Sequence, residues 1–196
     1  VSTTSGGTRG PRRQLWLLLL LFFAPLLVAF WLYYGSGWRP AGHTNHGELI
    51  EPPRPLPEIA VPGADPATRA PFTGRWSLVY VGDGGCAPDC RVALHVMRQT
   101  HLALGRLAPR VQQVLLASSA CCDHAFLDRE HPALRVIDAS GPQAAALLAA
   151  FPAAHRRRGI FIVDPLGNLM MRYDIRLEPR GLLLDLKKLL ELSHIG

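Results

Sequence analysis

The sequence predicts an α/β domain with parallel strands, a closing β-hairpin and a C-terminal helix, preceded by one N-terminal transmembrane helix. Three observations predict it. Leu15–Tyr34 is a run of twenty residues without a charge, which at the helical rise spans roughly 30 Å, the thickness of a bilayer's hydrocarbon core. Beyond it, short apolar runs rich in β-formers alternate with helix-periodic stretches, as parallel strands joined by crossover helices require. The last two such runs flank Asp164-Pro165-Leu166-Gly167-Asn168, a turn sequence that folds them into a hairpin.

The chain has 196 residues and a formal net charge of +6. The charge is uneven: Arg9, Arg12, Arg13 and Arg39 occur before the first acidic residue, Glu48. A basic tail flanking an apolar span accounts for part of the balance, and no nucleic-acid motif or aromatic–basic interleaving accompanies it. Residues 1–14 read as a cytoplasmic tail, because positive flanks stay inside. Pro25 interrupts the span 15–34, which membrane helices tolerate. Trp16 at one end, and Trp31, Tyr33, Tyr34 and Trp38 at the other, suit interfacial belts. The apolar run is longer than a signal-peptide core and bulky aromatics occupy its exit, so the reading is an uncleaved anchor. The expectation is a single-pass protein of the cell inner membrane, with its C-terminal domain in the periplasm.

Residues 35–73 read as a linker. Seven prolines between Pro52 and Pro71 make it extended and semi-rigid. His43, His46 and Glu48 are read as solvated, and Ile50, Leu56 and Ile59 as apolar points of contact with the domain.

The folded domain is read as 74–196. Trp76–Val81 is a buried strand, broken by Gly82, Gly84 and Gly85. Cys86 and Cys90 follow at the start of a helix whose inner stripe is Cys90, Leu94, Met97, His101 and Leu104. This places Cys90 inward and Cys86 in the more exposed position, with His101 as a core histidine. Arg110–Ala117 is a second strand. Ser118–His131 is a polar connection holding Cys121-Cys122-Asp123-His124, whose cysteines are expected to stay unpaired with each other. Leu134–Asp138, Ile160–Val163 and Leu169–Tyr173 are further strands, and Gln143–Phe151 is a short helix. In the final helix Leu182, Leu183, Leu186, Leu189 and Leu190 form one face and Asp185, Lys187, Lys188 and Glu191 the other.

Cys86 and Cys90 are the residues most suited to chemistry. A helix N-terminus favours negative charge and so favours thiolate, which is both the nucleophile and the metal-binding form. A spacing of four places both sulfurs within reach of one bond or one metal ion. A dithiol at the first strand–helix junction of this element order describes a thioredoxin-like layout. Four cysteines are too few for a disulfide scaffold, and their spacing matches no zinc ribbon.

Over Gly74–Gly196 the chain resembles the Sco/SenC family of membrane-anchored, copper-handling, thioredoxin-fold proteins. GRWSLVYVGDGGCAPDC is similar to that family's strand, loop and C-x-x-x-C pair, and IFIVDPLGN to its late strand and D-P-x-G turn. The single N-terminal anchor also fits. The resemblance implies copper bound by Cys86, Cys90 and a histidine before the late strand, for which His155 is the candidate; Cu(I) suits two thiolates and an imidazole. His155 stands one residue early, counted from Asp164-Pro165, and Arg156–Arg158 follow it. The implied partner is the copper-bearing subunit of a respiratory cytochrome c oxidase, which the dithiol would metallate or whose cysteines it would reduce. Two other readings stay open: a tethered thiol-disulfide oxidoreductase with other clients, and a binding module in which Cys86–Cys90 is a permanent structural disulfide.

Overall fold

The computed structural model describes residues 10–35, 44–58, 71–119, 121–176 and 179–196. It separates into two units, Val1–His43 and Thr44–Gly196. In the first, Gly10–Tyr34 forms helix α1, with Pro25 inside it. Its Arg12–Tyr34 stretch is long and apolar enough to cross a membrane. The basic residues Arg12 and Arg13 are thus already helical, one turn earlier than the uncharged run begins.

The second unit is built on a six-stranded sheet. Its strands are β1 (Glu48–Pro55), β2 (Trp76–Gly82), β3 (Val111–Ala117), β4 (Leu134–Asp138), β5 (Gly159–Val163) and β6 (Asn168–Asp174). Their spatial order is β1-β6-β5-β2-β3-β4. β2, β3 and β4 run parallel. β5 is antiparallel to β2, β6 to β5, and β1 to β6. The helices are α2 (Pro88–Ala103), α3 (His124–Glu130), α4 (Ala145–Ala150) and α5 (Pro179–Leu192). This is the expected thioredoxin-like α/β layout with its hairpin and closing helix.

β2 lies at the centre of the sheet and every residue in it is buried. The two-residue side-chain period sends Leu78 and Tyr80 to one face, where they pack with Leu94, Met97, Leu182 and Leu186 of α2 and α5. Val79 and Val81 enter the other face, with Leu147, Phe151 and Phe161. A strand covered on both sides needs a near-continuous apolar run, which Leu78–Val81 supplies, while the buried Ser77 hydroxyl accepts from the Gln112 side chain at 2.8 Å. The β5–β6 turn is fixed by Asp164: its carboxylate accepts the backbone N–H of Leu166 (2.9 Å) and Asn168 (2.8 Å) and the Asn168 side-chain N–H (2.9 Å). Gly167 takes a φ of +87° there, a region that costs a side chain but not glycine.

Three readings change. Glu48–Pro55, read as linker, is an edge strand; Ile50 and Leu56 pack against the core as expected. Ile59 and His43 lie outside the described residues. Within Ser118–His131, Asp123 caps a short helix by accepting the Phe126 N–H at 3.2 Å.

Asp185, read as part of the solvent face of α5, is 5% exposed. It accepts hydrogen bonds from the backbone N–H of His46 (2.7 Å) and Gly47 (3.0 Å) and from the Tyr173 hydroxyl (2.7 Å). Its other oxygen meets His46 Nδ1 at 3.0 Å. The carboxylate thus ties the segment before β1 onto α5. His101 is the core histidine expected: its Nε2 lies 3.1 Å from the Ala108 carbonyl and 3.0 Å from that of Val111.

Candidate functional site

β2 and β3 end side by side, and both chains leave the sheet at the same edge. The loop after β2 carries Cys86; α2 starts at Pro88 and carries Cys90 in its first turn. The two cysteines are joined as a disulfide, with Cα atoms 5.0 Å apart. Cys86 has a φ of +47°, the left-handed region that a residue with a Cβ enters at a cost of about 1–2 kcal/mol. Its surroundings hold it there. Its N–H donates to the Asp83 carbonyl at 3.4 Å, and its own carbonyl accepts from Arg91 Nε at 3.3 Å.

Both cysteines are 2% exposed. The sequence reading of an exposed Cys86 above an inward Cys90 is therefore corrected. The loop folds down onto the core rather than standing above it, and both residues join the apolar cluster on the α2 face. Cys90 lines a cavity of 310 Å³ with Tyr80, Asp83, Ala87, Pro88, Asp89 and Arg157. Cys90, not Cys86, is the cysteine that borders this cavity.

Polar and charged residues share the lining of that cavity. Tyr80 donates its hydroxyl to the Arg157 carbonyl at 3.0 Å, which fixes the backbone of the segment before β5 against β2. Burial, with the nearby Asp89 and Asp83 carboxylates adding to it, pushes the Tyr80 phenol up to about 12, so it stays a neutral donor at physiological pH. Asp89 also faces Arg176 at 3.7 Å, a surface pair of little energetic weight. On reduction, Cys90 would lie in the first turn of a 16-residue helix, whose free N–H groups favour thiolate. The carboxylates of Asp83 and Asp89 oppose that tendency and favour an incoming cation.

His155 is half-buried in the turn Ala153–His155. Its N–H donates to the Pro152 carbonyl at 3.0 Å, and its carbonyl accepts from Arg158 at 3.2 Å. It lines a different cavity, with His46, Arg158, Arg172 and Tyr173 among its walls. Arg157, not His155, faces the Cys90 cavity. The structure therefore brings Cys86 and Cys90 together and leaves His155 apart from them in this oxidised form. A three-residue group with metal-ligand geometry does occur among the described residues: Cys121, Cys122 and His124. Cys121 and Cys122, neighbours in the chain, have their sulfurs in contact with each other.

Solved structures with the same fold include the apo Sco1 protein of Thermus thermophilus, at 19% identity over 76% of this chain and 99% of that one, with a TM-score of 0.55. Yeast Sco1 with copper bound matches at 12% identity over 62% of this chain and 82% of its own, TM-score 0.54. A SCO1/SenC family lipoprotein of Bacillus anthracis matches at 12% over 71% and 98%, TM-score 0.51. At these identities the likeness shows the thioredoxin-like fold. No curated protein sequence matches the chain. Residues 76–193, more than half of the chain, match the family model described as transmembrane-like, thioredoxin-like, C-terminal domain, and the protein belongs to that family.

Proposed function

We propose that this protein is a membrane-anchored, Sco-like assembly factor for a respiratory cytochrome c oxidase. In this reading α1 holds it in the inner membrane and the domain faces the periplasm. The observation that carries the reading is the Cys86–Cys90 pair, bonded at the β2–α2 junction beside a cavity lined by Cys90, Asp83, Asp89 and Arg157. When reduced, the pair offers two soft thiolates, the donor set that Cu(I) prefers. Copper is cargo here. The pair receives Cu(I) and passes it to the oxidase's copper-bearing subunit, or it reduces the receiving cysteines of that subunit. In the second case thiolate attack opens the subunit's disulfide through a mixed disulfide, and the Cys86–Cys90 bond re-forms as the subunit's bond breaks. His155 becomes a third ligand only if the turns over Ala153–Arg158 rearrange on reduction.

A second reading, a tethered thiol-disulfide reductase without copper, is favoured by one specific observation: His155 lines a different cavity from Cys90. The deciding experiment replaces the gene's product with Cys86→Ser/Cys90→Ser and measures oxidase activity and copper content of the isolated oxidase. The proposal predicts a copper-poor, inactive oxidase, restored in part by added copper. Normal oxidase in that strain would remove the assembly role from this dithiol.

A further inference from the structure

Cys121, Cys122 and His124 stand outside the site described above. They lie in the loop that leaves β3, next to the loop that leaves β2. One nitrogen of His124 and the two sulfurs all fall within 4.8 Å of one another. Ligand atoms sharing one soft ion at bond lengths near 2.0–2.3 Å sit roughly 3.5–4 Å apart, so small side-chain rotations close the set. Cys121 and His124 are exposed and Cys122 is half-buried, so an ion can reach them from solvent.

The loop is held in place independently of any ion. The Asp123 N–H donates to the Gly84 carbonyl at 3.0 Å, and the Asp123 carbonyl accepts from Leu127 at 3.0 Å. The Asp123 carboxylate is occupied by the Phe126 N–H. Asp123 therefore acts as an anchor between loops, leaving its three neighbours free to be ligands. Arg91 connects the same two regions: its Nε donates to the Cys86 carbonyl, and its guanidinium lies 4.8 Å from the centre of the Phe126 ring. Gly84, anchored to Asp123, is two residues from Cys86.

We propose that Cys121, Cys122 and His124 form a second soft-metal site, which binds Cu(I) when both cysteines are reduced thiols and loses it when exchange with an incoming disulfide, itself reduced to a dithiol, oxidises them. Two thiolates and one imidazole select a soft monovalent ion over calcium or magnesium. The oxidised pair has no thiolate and cannot bind in this way. Its reduction takes two electrons and two protons. A dithiol supplies them by exchange, one disulfide forming in the reductant as this one breaks. Each thiol then loses its proton as the Cu–S bond forms. The site stands at the surface where Cys86 and Cys90 are buried, and does not depend on them for its ligands.

The test uses the full chain in detergent, reduced with a phosphine under anaerobic conditions and titrated with Cu(I) against a chromogenic chelator. Cys86→Ser/Cys90→Ser should retain one equivalent, and Cys121→Ser/Cys122→Ser added to it should abolish that equivalent. In the Cys86→Ser/Cys90→Ser background, His124→Ala should weaken binding by roughly tenfold or more, at least what a supporting contact to a metal site contributes. The same protein left oxidised should bind none. Absence of copper binding in reduced Cys86→Ser/Cys90→Ser protein, or an equivalent that survives Cys121→Ser/Cys122→Ser, would overturn the second site. Either result leaves the Cys86–Cys90 proposal to be judged by its own equivalent, scored separately in the Cys121→Ser/Cys122→Ser protein. Circular dichroism of each variant, expected to be unchanged for substitutions at the surface, establishes that binding is lost from a folded chain.

Discussion

Replacing Asp185 should destabilise the domain more than any other single change on the polar side of α5. The carboxylate accepts from two backbone amides and one hydroxyl and also meets the His46 ring, all while 5% exposed. Hydrogen bonds to a charged acceptor contribute about 1.5–3 kcal/mol each, and stranding buried donors adds to the loss. The sum overstates the cost, because the His46 side chain is 48% exposed and its segment can lift away and rehydrate. Asp185→Ala should therefore cost about 3 kcal/mol, as breaking a buried pair does. For a domain of this size that is a fall in Tm of about 6–12 °C.

The pH dependence gives a second handle. Burial alone would raise the Asp185 pKa, but the hydrogen bonds from His46, Gly47 and Tyr173 outweigh it, and the net shift is downward. A folded pKa below the unfolded value means that the stabilisation is complete above the unfolded carboxylate pKa of about 3.9 and is lost as pH falls through the folded value. Wild type should lose stability below about pH 4 more steeply than Asp185→Asn, which has no such group to protonate. Thermal melts of the full chain in detergent, followed by circular dichroism from pH 3 to pH 7, measure both effects. Amide exchange at Gly47 should accelerate in the variants. A variant that melts with wild type at neutral pH, with unchanged protection at Gly47, would refute the argument.

Other outcomes are expected. Phe161→Ala empties a fully buried site whose ring packs edge-on to Phe151 at 5.1 Å and should cost about 3–5 kcal/mol in denaturant unfolding. Gly105→Ala places a Cβ in open space but at a φ of +54°, so conformation alone should cost about 1 kcal/mol, read as a lower denaturation midpoint with an unchanged m-value. Tyr80→Phe removes the bond to the Arg157 carbonyl, which should cost about 1 kcal/mol and speed reduction of Cys86–Cys90 by a small dithiol, followed by thiol release. A reporter fused after Gly196 should read out as periplasmic, and a cytoplasmic signal would reverse the proposed orientation.

The central elements were legible because their patterns leave little choice. Trp76–Val81 is apolar at every position but Ser77, and all of it is buried, as a strand covered on both faces requires. The Asp-Pro-Leu-Gly-Asn turn carries its own acceptor and its own left-handed residue. β1 was hidden by Pro52, Pro53 and Pro55, which argue against a strand. Only an edge position, where outward N–H groups have no partner to lose, makes such a sequence acceptable in a sheet. The register shift between Leu49 and Arg54 absorbs the rest.

Asp185 looked like a surface residue because its partners, His46 and Gly47, lie nearly the whole domain away in sequence. No local pattern announces such a contact. Helical spacing placed Cys90 on the buried stripe, but Cys86 belongs to a loop, and only the loop's contacts with the core decide its burial. The Asp123 cap and the single buried Leu127 were the available signals for α3. They were masked by a connection rich in polar residues.

The most direct test of the central claim is a Cu(I) competition titration of the reduced full chain carrying Cys121→Ser/Cys122→Ser, which isolates the Cys86–Cys90 pair. The account predicts one tightly held equivalent, lost when Cys86→Ser is added. A chain that competes for no copper while its Cys86–Cys90 disulfide is readily reduced would contradict copper delivery and leave thiol-disulfide reduction as the work of this site.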